Sequence, residues 1–322
     1  MLKYFKNISY SFVRKNFQKL IVFSSIFIIL FFVGCSPNGK KSEKSSTEEI
    51  LKSLDREEKE LLRHFFDELM LRASGAYVLW GTKPIADYTA CFFTQDEIRK
   101  ANEEFENITL EEKEELSKRQ VSFPIITKKH WQVWEKIKNQ LPMHNFIITT
   151  KVWREPHAPD IVIINLTNLI VVLDDNYELF RQKIGYDFNS AEVAFEFTDG
   201  KGNFTEFWEK VYQDEVLKGL IFGYGKQNAL FYKHWWEDFY CNGEIKNHPK
   251  KLDFWKNVKF HCAHSKQAVY KENLSYNEIE LPFFSYLPHD RVIERYEQQR
   301  KEIIKMYKGK DSLKVTLQKL SE

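Results

Sequence analysis

The chain has 322 residues, of which 48 are Lys or Arg and 46 are Asp or Glu, a formal net charge of +2 at pH 7. Five of the basic residues (Lys3, Lys6, Arg14, Lys15 and Lys19) lie in the first 34 positions, which hold no acidic residue, so the chain from position 35 onward stands at 43 basic against 46 acidic, a net −3. That balance leaves no electrostatic footprint for nucleic acid, and 27 Phe with 8 Trp exclude a disordered stalk and supply a core for one large or two small domains.

Residues 20–34 are apolar except for Ser24 and Ser25, and the polar run Ser36-Pro37-Asn38-Gly39-Lys40-Lys41 follows at once. Fifteen residues are few for a membrane span, which needs about 20. A basic flank, a short apolar run and a small residue at the cut are the parts of a signal peptide. The ending Phe32-Val33-Gly34-Cys35 resembles a bacterial lipobox, with Phe32 where Leu is usual. The resemblance implies a bacterial lipoprotein: residues 1–34 are removed and Cys35 becomes the first residue, carrying lipid on its sulfur. The alternative is a signal kept as an anchor. In both cases the basic flank holds the amino end in the cytoplasm, so the rest of the chain is expected in the cell envelope, facing the periplasm or exterior. Ser36 stands where Asp resembles an inner-membrane retention signal, which favours the outer membrane where the host has one.

Residues 35–47 read as a disordered polar tether. Ser46 with Glu49 makes a capping box, and Leu51, Leu54, Leu61, Leu62, Phe65, Phe66, Leu69 and Met70 then predict one amphipathic helix of about 25 residues, ending near Gly75. Residues 76–80 (AYVLW), bounded by Gly81 and Pro84, read as a strand. Helices are predicted over 94–106, 108–120 and 127–141, the last with Trp131, Trp134 and Ile137 on one face. A strand follows at 146–153 and a turn at 154–159. The apolar run 160–175 divides into strand or turn to Leu166 and helix from Thr167 through Lys183. Residues 191–197 (AEVAFEF) alternate with period two and read as a strand with one wet face.

From Phe204 onward the spacing is helical, with a break at Gly223-Tyr224-Gly225 and further helices over 226–240 and 290–308. Many helices and few strands predict an α+β fold, predominantly helical with a small mixed or antiparallel sheet. Residues 48–308 are expected to form a single globular domain and 309–322 a C-terminal tail.

Residues 222–228 (FGYGKQN) look like a phosphate cradle, but the spacing is too short and no Ser or Thr closes it. They read better as a helix break with Gly223 in the residue after the cap. The turn Gly223-Tyr224-Gly225-Lys226-Gln227-Asn228-Ala229 resembles one in lipoproteins of intracellular bacteria, and that resemblance carries no activity.

His261, Cys262 and His264, with His248 upstream, are the densest metal-capable group, with His261 and His264 weak candidate ligands. They lack the second close pair that a zinc site needs, so no metal or other cofactor is expected. Cys241 and Cys262 are placed to form a disulfide, leaving Cys91; the alternative is three reduced, buried thiols. On helix 226–240, positions 228, 231, 232, 235 and 239 make a buried stripe, while Trp236 and Tyr240 fall off it as a possible surface aromatic platform for a carbohydrate face.

No Gly-x-Ser-x-Gly elbow occurs. Asp174 with Asp175, and Glu155 with His157 and Asp160, are the acid–base candidates, though charged residues at 29% of the chain produce such pairs by chance. The sequence therefore reads first as a non-enzymatic binding or envelope-structural protein, membrane-bound through Cys35, whose partner is an envelope protein or the cell wall. The alternative is a hydrolase-like envelope enzyme acting on cell-wall glycan or peptide, through His157, Asp160 or the His261–His264 group.

Overall fold

A computed structural model describes residues 46–93, 126–152, 158–199, 204–236, 275–282 and 290–322, with positions 97, 99, 109 and 284. The fold is α+β and predominantly helical, with one small antiparallel sheet. Its described helices are α1 (Thr47–Ser53), α2 (Arg56–Asp67), α3 (Gly75–Trp80), α4 (Lys128–Ile137), α5 (Leu166–Asp175), α6 (Tyr177–Ile184), α7 (Ser190–Phe195), α8 (Glu206–Gln213), α9 (Glu215–Ile221), α10 (Lys226–Trp236), α11 (Arg291–Tyr307) and α12 (Ser312–Leu320). The strands are β1 (Ile85–Thr89), β2 (Phe146–Lys151) and β3 (Asp160–Asn165).

The sheet has the order β1-β3-β2, with both pairings antiparallel. Successive side chains of a strand point to opposite faces, so central β3 feeds two cores. Ile161 and Ile163 join Ala86, Phe146 and Ile148 against α1–α4, α11 and α12. Val162 and Ile164 join Ile85 against α5–α9. Because β3 is buried on both sides it shows no alternation, which is why residues 160–165 read as one apolar run.

Several expectations need correction. The single first helix is two. Leu54 is extended, and a second capping box restarts the chain: Glu58 N–H donates to Asp55 Oδ1 at 2.8 Å and Asp55 N–H to Glu58 Oε2 at 3.2 Å. Residues 76–80 are not a strand but most of helix α3. Ala76, Tyr77, Val78 and Leu79 are all buried, and a helix turn satisfies their backbone locally while packing every side, so burial overrides β-propensity. The strand lies instead beyond Pro84.

Residues 191–197 are likewise not a strand but helix α7 continued by a 3₁₀ turn. Asn189 caps it, its Oδ1 accepting from the amides of Ala191 at 3.0 Å and Glu192 at 3.1 Å. Val193, Ala194 and Phe197 are buried at helical spacing, and Phe195, which period two would bury, is 52% exposed. Finally, 309–322 is no tail. Asp311 caps α12 and pairs with Arg63, while Leu313, Leu317 and Leu320 enter the core.

The helix expected from Thr167 through Lys183 is also two, α5 and α6, divided at Asn176. Helix α4 stacks Trp134 on Phe65, with centroids 6.1 Å apart, and sets it edge-on to Phe66, and Asp290 caps α11. Helices expected over 94–106 and 108–120 lie outside the described residues except at positions 97, 99 and 109, of which 97 and 99 are helical, and the leader and nearly all of the tether lie outside them as well.

If the Asp55 box separates α1 from α2, Asp55→Ala should cost about 1 kcal/mol in urea denaturation, the usual worth of an N-cap; an unchanged midpoint would show that the break has another cause.

Candidate functional site

The face of the sheet toward α5–α9 begins apolar and ends charged. Its first row is Ile85, Ile164 and Ile147; its second is Asp87, Val162 and Thr149; its third is Thr89, Asp160 and Lys151. Asp87 and Asp160 are diagonal neighbours on this face, a relation that places Cβ atoms roughly 7 Å apart. Thr89 Oγ1 donates to Asp160 Oδ1 at 2.6 Å. Burial raises the Asp160 carboxyl above the usual carboxylate range. Burial and the nearby Asp160 charge together raise Asp87 to about 6, with Lys83 opposing them.

Lys83, 2% exposed, enters from the turn before β1. Its Nζ donates to the Phe222 carbonyl at 2.7 Å and lies 5.3 Å from the Phe222 ring centroid and 4.9 Å from that of Tyr224. Burial lowers its amine to about 7, against the pull of Asp87. Tyr212 on α8, Tyr224 and Lys218 on α9 complete the group. Burial raises both tyrosine hydroxyls, and the Asp87 charge adds to it.

The Gly223-Tyr224-Gly225 break is the element that holds Lys83. Gly223 (φ +78°) donates its N–H to Leu220 O and Tyr224 donates to Gly219 O, both at 2.9 Å, which is the Schellman pattern. The Gly223 carbonyl accepts from Tyr296 Oη at 2.9 Å. A Cβ at Gly223 would stand 2.5 Å from that same oxygen, so both the backbone angle and the packing require glycine. With those amides closing α9, they are not available to wrap a phosphate.

Asp160 is thus placed beside Asp87 and Thr89, while its expected partners Glu155 and His157 lie outside the described residues. Asp174 and Asp175 are exposed at the C-terminal end of α5. Cys91 is a half-buried free thiol bridged through its backbone to Thr127. Of the stripe expected on α10, Asn228 and Phe231 are buried and Tyr232 is half-buried, while the side chains of Trp235 and Phe239 lie outside the described residues. Cys35, Cys241, Cys262, Tyr240, His248, His261 and His264, and the side chain of Trp236, lie outside the described residues. Among the described residues no group of three or more His, Cys, Asp or Glu is placed to hold a metal ion, and no helix is long and apolar enough to cross a membrane.

Sequence reasoning missed Asp87 and Lys83. The signal was present in Ile85-Ala86-Asp87-Tyr88-Thr89, where Asp87 and Thr89 share a phase, but only the register with β3 shows that Asp160 joins them. Comparison with family models, with curated proteins and with solved structures finds no match to this chain.

A lysine whose amine is lowered from 10.5 to about 7 holds its proton less tightly when folded than when unfolded. Between those values the unfolded chain binds more protons, so Lys83 makes stability rise with pH across that window. Lys83→Met should remove that rise, worth on the order of a few kcal/mol, in denaturant midpoints measured from pH 7 to 10.5; the same slope in both proteins would refute the assignment.

Proposed function

We propose that the chain is a bacterial lipoprotein of the cell envelope, held at the membrane through lipidated Cys35 and facing the periplasm or exterior, and that its folded part acts by binding an envelope protein or a cell-wall partner. The carrying observation is the sequence from Lys3 to Cys35: basic flank, 15-residue apolar run, and Gly34-Cys35 before a polar stretch. Binding is supported over chemistry by how the described polar groups are used. The amides of the glycine turn close a helix, and Lys83 donates inward to a carbonyl.

One observation favours a second reading, an envelope hydrolase acting on glycan or peptide. Asp87, raised to about 6 beside Asp160, would exchange protons near neutrality, as a general acid or base must. Purified protein releasing soluble fragments from cell-wall sacculi, with release lost in Asp87→Asn and Asp160→Asn, would support it; no release by the parent protein removes it.

Mass spectrometry of the amino terminus tests the first reading. The expected mature species begins at Cys35 with added lipid mass, and Cys35→Ala should accumulate an unlipidated form that retains residues 1–34. Identical unlipidated species from both genes would overturn the proposal.

A further inference from the structure

The second polar inlay lies in the other core, where α2 meets α4. His64 Nδ1 and His130 Nε2 are 3.0 Å apart. A backbone amide can only donate, and Thr127 N–H donates to His130 Nδ1 at 3.1 Å. That nitrogen therefore carries no proton, and neutral His130 carries its proton on Nε2, donating to His64 Nδ1. Neutral His64 then holds its own proton on Nε2, which faces Glu68 Oε1 at 3.9 Å. Glu68 is 1% exposed; its Oε2 accepts from Tyr88 Oη at 3.0 Å and pairs with Arg72 Nε at 2.8 Å. Two directed hydrogen bonds thus run from the Thr127 amide through His130 to His64, with the buried Glu68 carboxylate beyond.

His130 takes a further proton in a single way: its Nε2 already carries one, so the second sits on Nδ1. There Thr127 Oγ1, 2.8 Å away, accepts it, and the Thr127 amide loses its acceptor. Burial and the His64 charge hold His130 down at about 4, opposing a second charge on the pair. The charged and titratable groups on the described elements packed around the pair are Asp67 and Glu68, Arg72, Tyr88 of β1, and the ion pairs Arg63–Asp311 and Glu58–Lys136. The last of these ties α2 to α4 independently of the histidines.

We propose that the His64–His130 pair is an acid sensor: one proton on His130 turns its Nδ1 from acceptor to donor and uncaps helix α4 at Thr127, loosening the Cys91–Thr127 bridge beside it. Because folded His130 takes up its proton only near pH 4, against 6.5 for an ordinary histidine, the unfolded chain binds more protons between those values, and the stability present above pH 6.5 is lost as pH falls toward 4.

Hydrogen exchange of the peptide covering 126–137 in the full chain tests this, with rates corrected for intrinsic pH dependence. Protection should fall at least about tenfold from pH 7 to 4.5. In His130→Gln it should stay level, because Gln at the third helical position keeps the bond to the cap amide without titrating. An acid loss as large in His130→Gln, or none in the parent, overturns the proposal. Should His130→Gln fail to fold, His64→Gln decides: with the His64 charge removed the acid loss should move to higher pH, and an unmoved midpoint refutes the sensor.

Discussion

Everything described in this fold depends on β3 being buried on both faces. Five of its six residues are buried, and its backbone is paired on both edges, so no backbone polar group of the strand is left toward either core. Burying a Val or Ile side chain stabilises by about 1.5–3 kcal/mol. The four such residues from Ile161 to Ile164 alternate between two helical layers and hold both to one sheet. The strand's end is fixed as firmly. Asn165 Oδ1 accepts from Asn168 N–H at 3.0 Å, capping α5, and from Asn145 Nδ2 at 3.1 Å, while its Nδ2 donates to Val78 O at 3.2 Å. One side chain thus joins α3, the approach to β2 and α5.

A strand with no wet face confines charge to its ends and to the strands beside it. Asp160 opens β3, Asp87 stands on edge strand β1, and Lys83 stands just ahead of it. Each layer consequently has a polar inlay among the described residues. In the α5–α9 layer it is Lys83 with the two aspartates; in the other it is His64, His130 and Glu68. In both, a backbone group anchors the titrating side chain: the Phe222 carbonyl accepts a hydrogen bond from Lys83 Nζ, and the Thr127 amide fixes the His130 tautomer. These groups respond to pH in different windows because burial moves lysine and histidine down and carboxyls up.

What the sequence made legible is local. Ser46 with Glu49, Thr127 and Asp290 mark helix starts because a cap is made by neighbours in the chain, and Gly223 marks a helix end for the same reason. What it concealed is set by tertiary surroundings. The AYVLW segment has the composition of a strand, and only its enclosure on all sides makes it helix α3. The AEVAFEF segment fits two periods equally, and the Asn189 cap decides for the helix. Asp87 could not be singled out, because its importance comes from a register partner over 70 residues away. The pairing of His64 with His130, 66 positions apart, is concealed for the same reason.

On the proposed anchoring, the electrostatics of the domain matter as much as the lipid. Loss of the leader turns a net +2 into −3, so the mature chain has no surplus of Lys or Arg to add the roughly 1 kcal/mol per basic residue that polybasic segments gain at anionic lipid. Retention then depends on the acyl chains, and a single chain binds only marginally, so more than one is required for a stable hold. Ten residues lie between Cys35 and Ser46, the cap of α1, and whatever their conformation the two ends are at most about 40 Å apart. A partner must therefore present itself within that distance of the membrane surface plus the width of the domain. This favours a ligand in the envelope layer next to the anchor over one that diffuses freely.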